Sequence, residues 1–136
     1  MLNQVKEQGD QALYRLNQSF DNNPAKCLKI SSQTIAKAES QITPKLFKAL
    51  ELAYQRIYAY HLKQLPKAHS YTDQLGCQLG WRWYPLAAIG IYAPGGLAAY
   101  PSSVLMSAAV ARAAGVKRLV LTVPATNGEI KPSVLV

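Results

Sequence analysis

The sequence predicts an α/β fold: an amino-terminal helical arm followed by the first βαβ unit of an incomplete parallel sheet. Three observations carry this. Apolar residues recur at three- and four-residue steps through the first half of the chain, the spacing of helices with one buried face. Two nearly continuous apolar runs, Ala87-Ala88-Ile89-Gly90-Ile91-Tyr92 and Leu119-Val120-Leu121-Thr122-Val123, lack the polar alternation of a one-sided strand, as strands covered on both faces do. A glycine-rich turn and a helical pattern lie between the runs, and the order strand, turn, helix, strand is one βαβ unit of a doubly wound, Rossmann-like sheet. The chain accordingly divides into a helical segment over residues 1–70, a strand or hairpin connection over 71–86 and a truncated Rossmann-like unit over 87–136.

In the arm, Leu2, Val5, Gly9, Ala12, Leu13, Leu16 and Phe20 form one apolar stripe and predict a first amphipathic helix. It stops near Asp21-Asn22-Asn23-Pro24, where turn-favouring residues precede a proline that has no N–H to donate. Leu28 and Ile30 give a short apolar alternation, and Ser31 or Ser32 caps a short helix carrying Ile35 and Ala38. Thr43-Pro44 starts a long helix: the hydroxyl accepts an orphan amide proton, and proline occupies the first position, where no donor is needed. Leu46, Leu50, Ala53, Ile57 and Tyr60 are its stripe, and Pro66 ends it. Tyr54, Tyr58 and Tyr60 read as packing groups with wet hydroxyls rather than a base-stacking platform, which needs a basic groove around it.

After His69 the period changes. Cys77, Leu79, Trp81 and Trp83 alternate with Gln78, Gly80 and Arg82, the rhythm of a strand with one buried face. Beyond the first buried run, Pro101-Ser102-Ser103 opens a helix whose slim alanine-rich face Gly115 closes. After Pro124, residues Gly128 to Pro132 approach another helix, of which about one turn precedes Val136. Two parallel strands leave faces and edges that need covering, so the fold is expected to be interrupted.

With 136 residues, 49% of them hydrophobic, the chain is expected to bury roughly two-thirds of its unfolded surface. No secretory leader follows Met1 and no apolar run reaches the ~20 residues of a membrane span, so the expectation is a soluble cytoplasmic protein without a membrane role. Cys27 and Cys77 form neither a CxxC pair nor a cluster with His61 and His69, and read as two small, semi-buried thiols. The net charge of +8 is concentrated over residues 24–67, which carry +6, but Lys37, Lys45, Lys48, Arg56, Lys63 and Lys67 are spread singly along helical patterns. That is a solvated helix face rather than a nucleic-acid surface.

The chemistry-bearing motif is Tyr92-Ala93-Pro94-Gly95-Gly96 at the carboxyl end of a buried strand. Ligands of open α/β sheets bind beyond such ends, and adjacent glycines let backbone amides approach a phosphate closely. Alone it is a weak signal, since it is not GxGxxG and Pro-Gly-Gly turns are common structural features. The longer string is more specific. Gly90-Ile91-Tyr92-Ala93-Pro94-Gly95-Gly96, Tyr100-Pro101-Ser102-Ser103-Val104-Leu105-Met106 and Ala113-Ala114-Gly115-Val116 closely resemble the signature region of histidinol dehydrogenases. Val5-Lys6-Glu7-Gln8-Gly9-Asp10, Phe20-Asp21 and Tyr60-His61 agree in matching order, so the resemblance covers nearly the whole chain as an amino-terminal portion.

The resemblance implies a zinc- and NAD-dependent alcohol and aldehyde dehydrogenase that oxidises L-histidinol to L-histidine in two steps, in histidine biosynthesis, as a homodimer. It implies NAD contacts at Tyr92, with Pro94 as a neighbour of the cofactor and Gly95 and Gly96 shaping the loop. The family's glutamate-histidine pair and its glutamine, histidine and aspartate zinc ligands lie in later segments, so no catalytic or metal residue is carried onto this chain. His61 and His69 match no part of the family's metal motif and lack a carboxylate or cysteine at ligand spacing. Two departures stand out: Tyr84-Pro85 where the family commonly has Arg-Pro, which removes a cation, and Ala93 where it usually has Val or Ile. The resemblance thus predicts a chain inactive alone; the alternative is a non-catalytic remnant that binds a nucleotide or a partner subunit.

Overall fold

A computed structural model describes residues 1–24, 27–95 and 99–136. The stripe expected to form one amino-terminal helix forms two, α1 (Leu2–Gln8) and α2 (Asp10–Asp21). Gly9 separates them at φ 55°, ψ −135°, outside helical geometry and open to glycine because it has no Cβ. Its amide donates to Val5 O and its carbonyl accepts from Ala12 N, so one residue ends the first helix and starts the second. The Asn22-Asn23 stop is as the sequence reads: Asn22 turns left-handed at φ 49°, and the amide of Asn23 reaches back to Asn17 O at 3.2 Å.

Ser31 is the cap of α3 (Ser32–Ser40), its hydroxyl accepting from Thr34 N at 3.1 Å. Thr43 caps α4 (Pro44–Leu62) in the same way at 3.2 Å from Leu46 N, with Pro44 in the first turn. The helix ends at Leu62, short of Pro66, as Lys63 and Gln64 turn back onto the carbonyls of Tyr60 and His61. Phe47, Leu50, Tyr54, Ile57 and Tyr58 are half-buried, and Tyr54 and Tyr58 stack with ring centroids 5.8 Å apart.

Strands β1 (His69–Thr72) and β2 (Gln78–Trp81) pair as an antiparallel hairpin from His69↔Trp81 to Thr72↔Gln78. Its turn is held by the Asp73 carboxylate, which accepts from Leu75 N at 2.9 Å and Cys77 N at 2.8 Å. The alternation selects a strand, yet the face expected to be buried is open: every residue of both strands is exposed, and Trp83 lies outside the strand at 61% exposure. Alternation reports which side chains share a face; it does not supply an element to cover it. Cys27 and Cys77 are likewise exposed, against the expectation of semi-buried thiols, because one lies in the link after α2 and the other at the hairpin turn.

Strands β3 (Ala88–Tyr92) and β4 (Arg118–Thr122) pair in parallel from Ala88↔Arg118 to Tyr92↔Thr122, joined by α5 (Pro101–Ala113). This is the incomplete Rossmann-like α/β unit that the sequence predicts. Helix α5 ends at Ala113 and the chain turns away at Gly115, φ 85°, where the Arg112 guanidinium donates to the carbonyls of Val116 and Lys117 at 3.3 and 2.9 Å, bracing the turn into β4. Covering is one-sided rather than two-sided: Ile91 is buried and Ile89 and Leu119 half-buried, whereas Ala88, Gly90 and Tyr92 on the opposite face are exposed. Helix α5 packs on both strands and on α4, through a face whose Ala109, Ala111 and Ala113 allow close approach. A 3-10 turn (Thr126–Gly128) leads to α6 (Pro132–Leu135), which rests on α3 and α5.

The buried apolar set among the described residues is mostly alanine, joined by Ile91, Val116 and Val134. The accessible surface is 10,624 Å² for 14.9 kDa. A compact monomer of that mass exposes about 7,000 Å² and its unfolded chain about 21,600 Å². The chain therefore buries about half of its unfolded surface, not the two-thirds expected from its length. The shortfall is visible in Trp81, Trp83, Tyr84 and Leu86, all more than half exposed.

Candidate functional site

The parallel ladder runs one step beyond the strands, because Ala93 N donates to Thr122 O at 3.0 Å. This draws the two strand-end loops together at the carboxyl edge of the sheet, the side on which open α/β sheets receive ligands. Tyr92, the last residue of β3, is 69% exposed, so its ring and hydroxyl are available at the tip of the strand. Ala93 behind it is fully buried and Pro94 is exposed. Gly95 is half-buried against the other loop: a Cβ built on it would lie 2.6 Å from Pro124 O and 3.0 Å from Val123 Cγ2. Glycine is required there by the proximity of another backbone. Gly96, the fourth residue expected at the site, lies outside the described residues.

The structure thus brings Tyr92, Pro94 and Gly95 onto one loop at the tip of the sheet, resting on the Val123-Pro124 ledge. Below that ledge, and not anticipated from the sequence, a cleft of about 370 Å³ opens between the end of α2 and the end of β4, with Asn17, Asp21, Asn23, Thr122 and Pro124 in its wall. The end of α2 reaches the 3-10 turn directly. Asn22 Nδ2 donates to Asn127 Oδ1 at 3.0 Å, and the buried Asn23 places its Oδ1 3.4 Å from where a Cβ on Gly128 would sit. The signal for this was present as Asn-Asn and Asn-Gly, residues that tolerate left-handed backbone, but it reads locally as helix stop and turn.

The histidines do not converge. His61 is half-buried on α4, edge-on to Tyr60 at 5.2 Å, while His69 on β1 lies 5.0 Å from the Trp81 ring and 5.9 Å from Tyr71. Among the described residues no three His, Cys, Asp or Glu side chains come together as a metal site. No helix among them is long and apolar enough to cross a membrane.

Comparisons with known proteins agree with this architecture. The family profile described as histidinol dehydrogenase matches residues 1–136. The chain is similar to the histidinol dehydrogenase of Mesorhizobium japonicum, 51% identical over 97% of this chain and 31% of that protein. It is similar also to that of Gluconobacter oxydans, 47% identical over 99% of this chain and 32% of that protein. The crystal structure of histidinol dehydrogenase from Elizabethkingia anophelis superimposes with a TM-score of 0.91 at 30% identity, covering 98% of this chain and 31% of that one. The chain spans about a third of the length of these relatives. A profile match over every residue, a shared fold and identities near one half together mean that the chain belongs to the histidinol dehydrogenase family.

Proposed function

We propose that this chain supplies the amino-terminal third of a histidinol dehydrogenase, an oxidoreductase of histidine biosynthesis that takes L-histidinol to L-histidine in two NAD-dependent steps. Its own contribution is to hold the cofactor. The observation that carries this is the exposed Tyr92 at the strand tip, followed by a loop that Gly95 seats on the Val123-Pro124 ledge. NAD, when bound, accepts a hydride in each oxidation. Tyr92 offers it a ring face and a hydroxyl, Pro94 stiffens the loop, and Gly95 leaves room for backbone amides to approach a phosphate. In this scheme residues 1–70 are the arm, 71–86 the connecting hairpin and 87–136 the NAD-binding unit.

Zinc does not fit the residues described: the two histidines sit on separate elements without a third ligand. The acid-base pair and the metal ligands belong to the family's later segments, and the chain alone turns nothing over. We place the complete enzyme in the cytoplasm as a homodimer, with L-histidinol and NAD as its small-molecule partners. The second reading, a non-catalytic chain that binds a nucleotide or partner subunit, draws on the large exposed apolar surface.

The test is a chimera in which this chain replaces the aligned third of the Mesorhizobium japonicum relative. The chimera is expected to reduce NAD with L-histidinol, residues 1–136 alone to give no turnover, and Tyr92→Ala in the chimera to raise the KM for NAD about tenfold, the ~1.4 kcal/mol of a lost aromatic contact. An active chimera indifferent to Tyr92→Ala refutes the cofactor assignment; turnover by residues 1–136 alone refutes the dependence on later segments.

A further inference from the structure

We infer that Asn22 and Asn127 form a clasp that positions the NAD loop, making them positioning residues for the cofactor although neither touches the loop itself. The inference rests on the cofactor reading of Tyr92 proposed above. Both asparagines adopt left-handed backbone, at φ 49° and 57°, and their side chains meet in one hydrogen bond of 3.0 Å between positions 105 residues apart in sequence. Asparagine tolerates left-handed backbone better than other residues with a Cβ, and here it aims two amides at each other from the end of α2 and from the 3-10 turn. The neighbouring pair reinforces the contact: Asn23 is buried against Gly128, itself at φ 79°.

What the clasp holds is the segment that supports the loop. The 3-10 turn is closed by Gly128 N on Ala125 O at 2.9 Å, and Ala125 directly follows Pro124. The Pro124 carbonyl fills the place a Gly95 Cβ would take. Shifting the turn therefore moves the ledge, and the ledge carries Gly95 and with it the backbone beyond Tyr92. The displacement is passed on at Gly95 alone, where backbone meets backbone and no flexible side-chain end can absorb it.

The experiment uses the chimera. Asn22→Gly and Asn127→Gly keep the left-handed backbone accessible and remove only the side-chain bond. Asn127→Asp keeps an acceptor for Asn22 Nδ2 and serves as the conservative rescue. The Gly variants are expected to raise the KM for NAD about three- to tenfold, the range of coupling through packed contacts, leaving kcat and the KM for L-histidinol within about twofold. Asn127→Asp should match the parent. NADH binding followed by its fluorescence gives the same comparison independently of turnover. If Tyr92→Ala weakens NAD binding and Asn22→Gly does not, the clasp is overturned and the cofactor assignment stands. If neither does, the cofactor assignment falls and the clasp with it. Equal losses for Asn127→Asp and Asn127→Gly also overturn it.

Discussion

Gly95→Ala isolates the close approach on which the candidate site is built. The new Cβ would meet Pro124 O at 2.6 Å, Val123 Cγ2 at 3.0 Å and Pro124 Cδ at 3.1 Å. The nearest atom is backbone and two of the three belong to a ring-locked residue, so no flexible side-chain end can swing aside. Relief requires that one strand-end loop move by several tenths of an ångström. Overpacking of this kind costs about 1–3 kcal/mol. For a chain of this length each kcal/mol lowers Tm by roughly 3–5 °C, so a drop of about 3–15 °C is expected by circular dichroism. Gly90→Ala is the internal control, because a Cβ on Gly90 meets nothing within 4 Å, and its stability should stay within about 0.5 kcal/mol of the parent. In the chimera Gly95→Ala should also raise the KM for NAD. Equal melting temperatures for the two variants would refute the claim that the two loops are in backbone contact.

Thr43→Ala removes the cap of α4 and should cost about 1 kcal/mol in urea unfolding, whereas the following Pro44 keeps the helix start in place. Asp73→Ala deletes both acceptor contacts of the hairpin turn and should speed amide exchange at Leu75 and Cys77 while leaving global stability within about 0.5 kcal/mol, since both hairpin strands are exposed. Cys27 and Cys77 should both react promptly with a thiol reagent in the native protein, as exposed thiols do; protection of either would contradict its placement.

Local chemistry made much of this fold legible. Ser31, Thr43-Pro44 and Gly115 mark helix ends through side-chain acceptors or φ that the sequence itself specifies, and the structure puts ends there. The parallel pairing of β3 and β4 follows from two apolar runs around a helix. What failed has a common cause. Gly9 belongs to an apolar stripe by spacing, and spacing cannot see that its backbone leaves the helix. The Trp81 face and the second face of β3 look buried by composition, but burial depends on a neighbour, and no residue pattern within a strand states whether one arrives. The Asn22–Asn127 bond was beyond local reading altogether, since it joins two turns that only the tertiary fold brings together.

The missing burial is itself measurable, and it bears on how the chain works. Exposing 10,624 Å² where a compact chain of its mass exposes about 7,000 Å² means that about a quarter of the expected burial on folding is absent. Heat capacity of unfolding follows the surface newly exposed to water, apolar surface above all. For 136 residues a compact fold gives about 1.6–2.0 kcal/mol/K, so this chain should give about 1.2–1.5 kcal/mol/K by calorimetry. The urea m-value should fall in the same proportion. The open surface is rich in Trp81, Trp83, Tyr84 and Leu86, so an apolar dye should bind the native chain, and its exclusion from the active chimera would show that later segments cover them. A full-sized heat capacity with no dye binding would mean that residues 1–136 close on themselves, and the claim that this face is left open for later segments would fall.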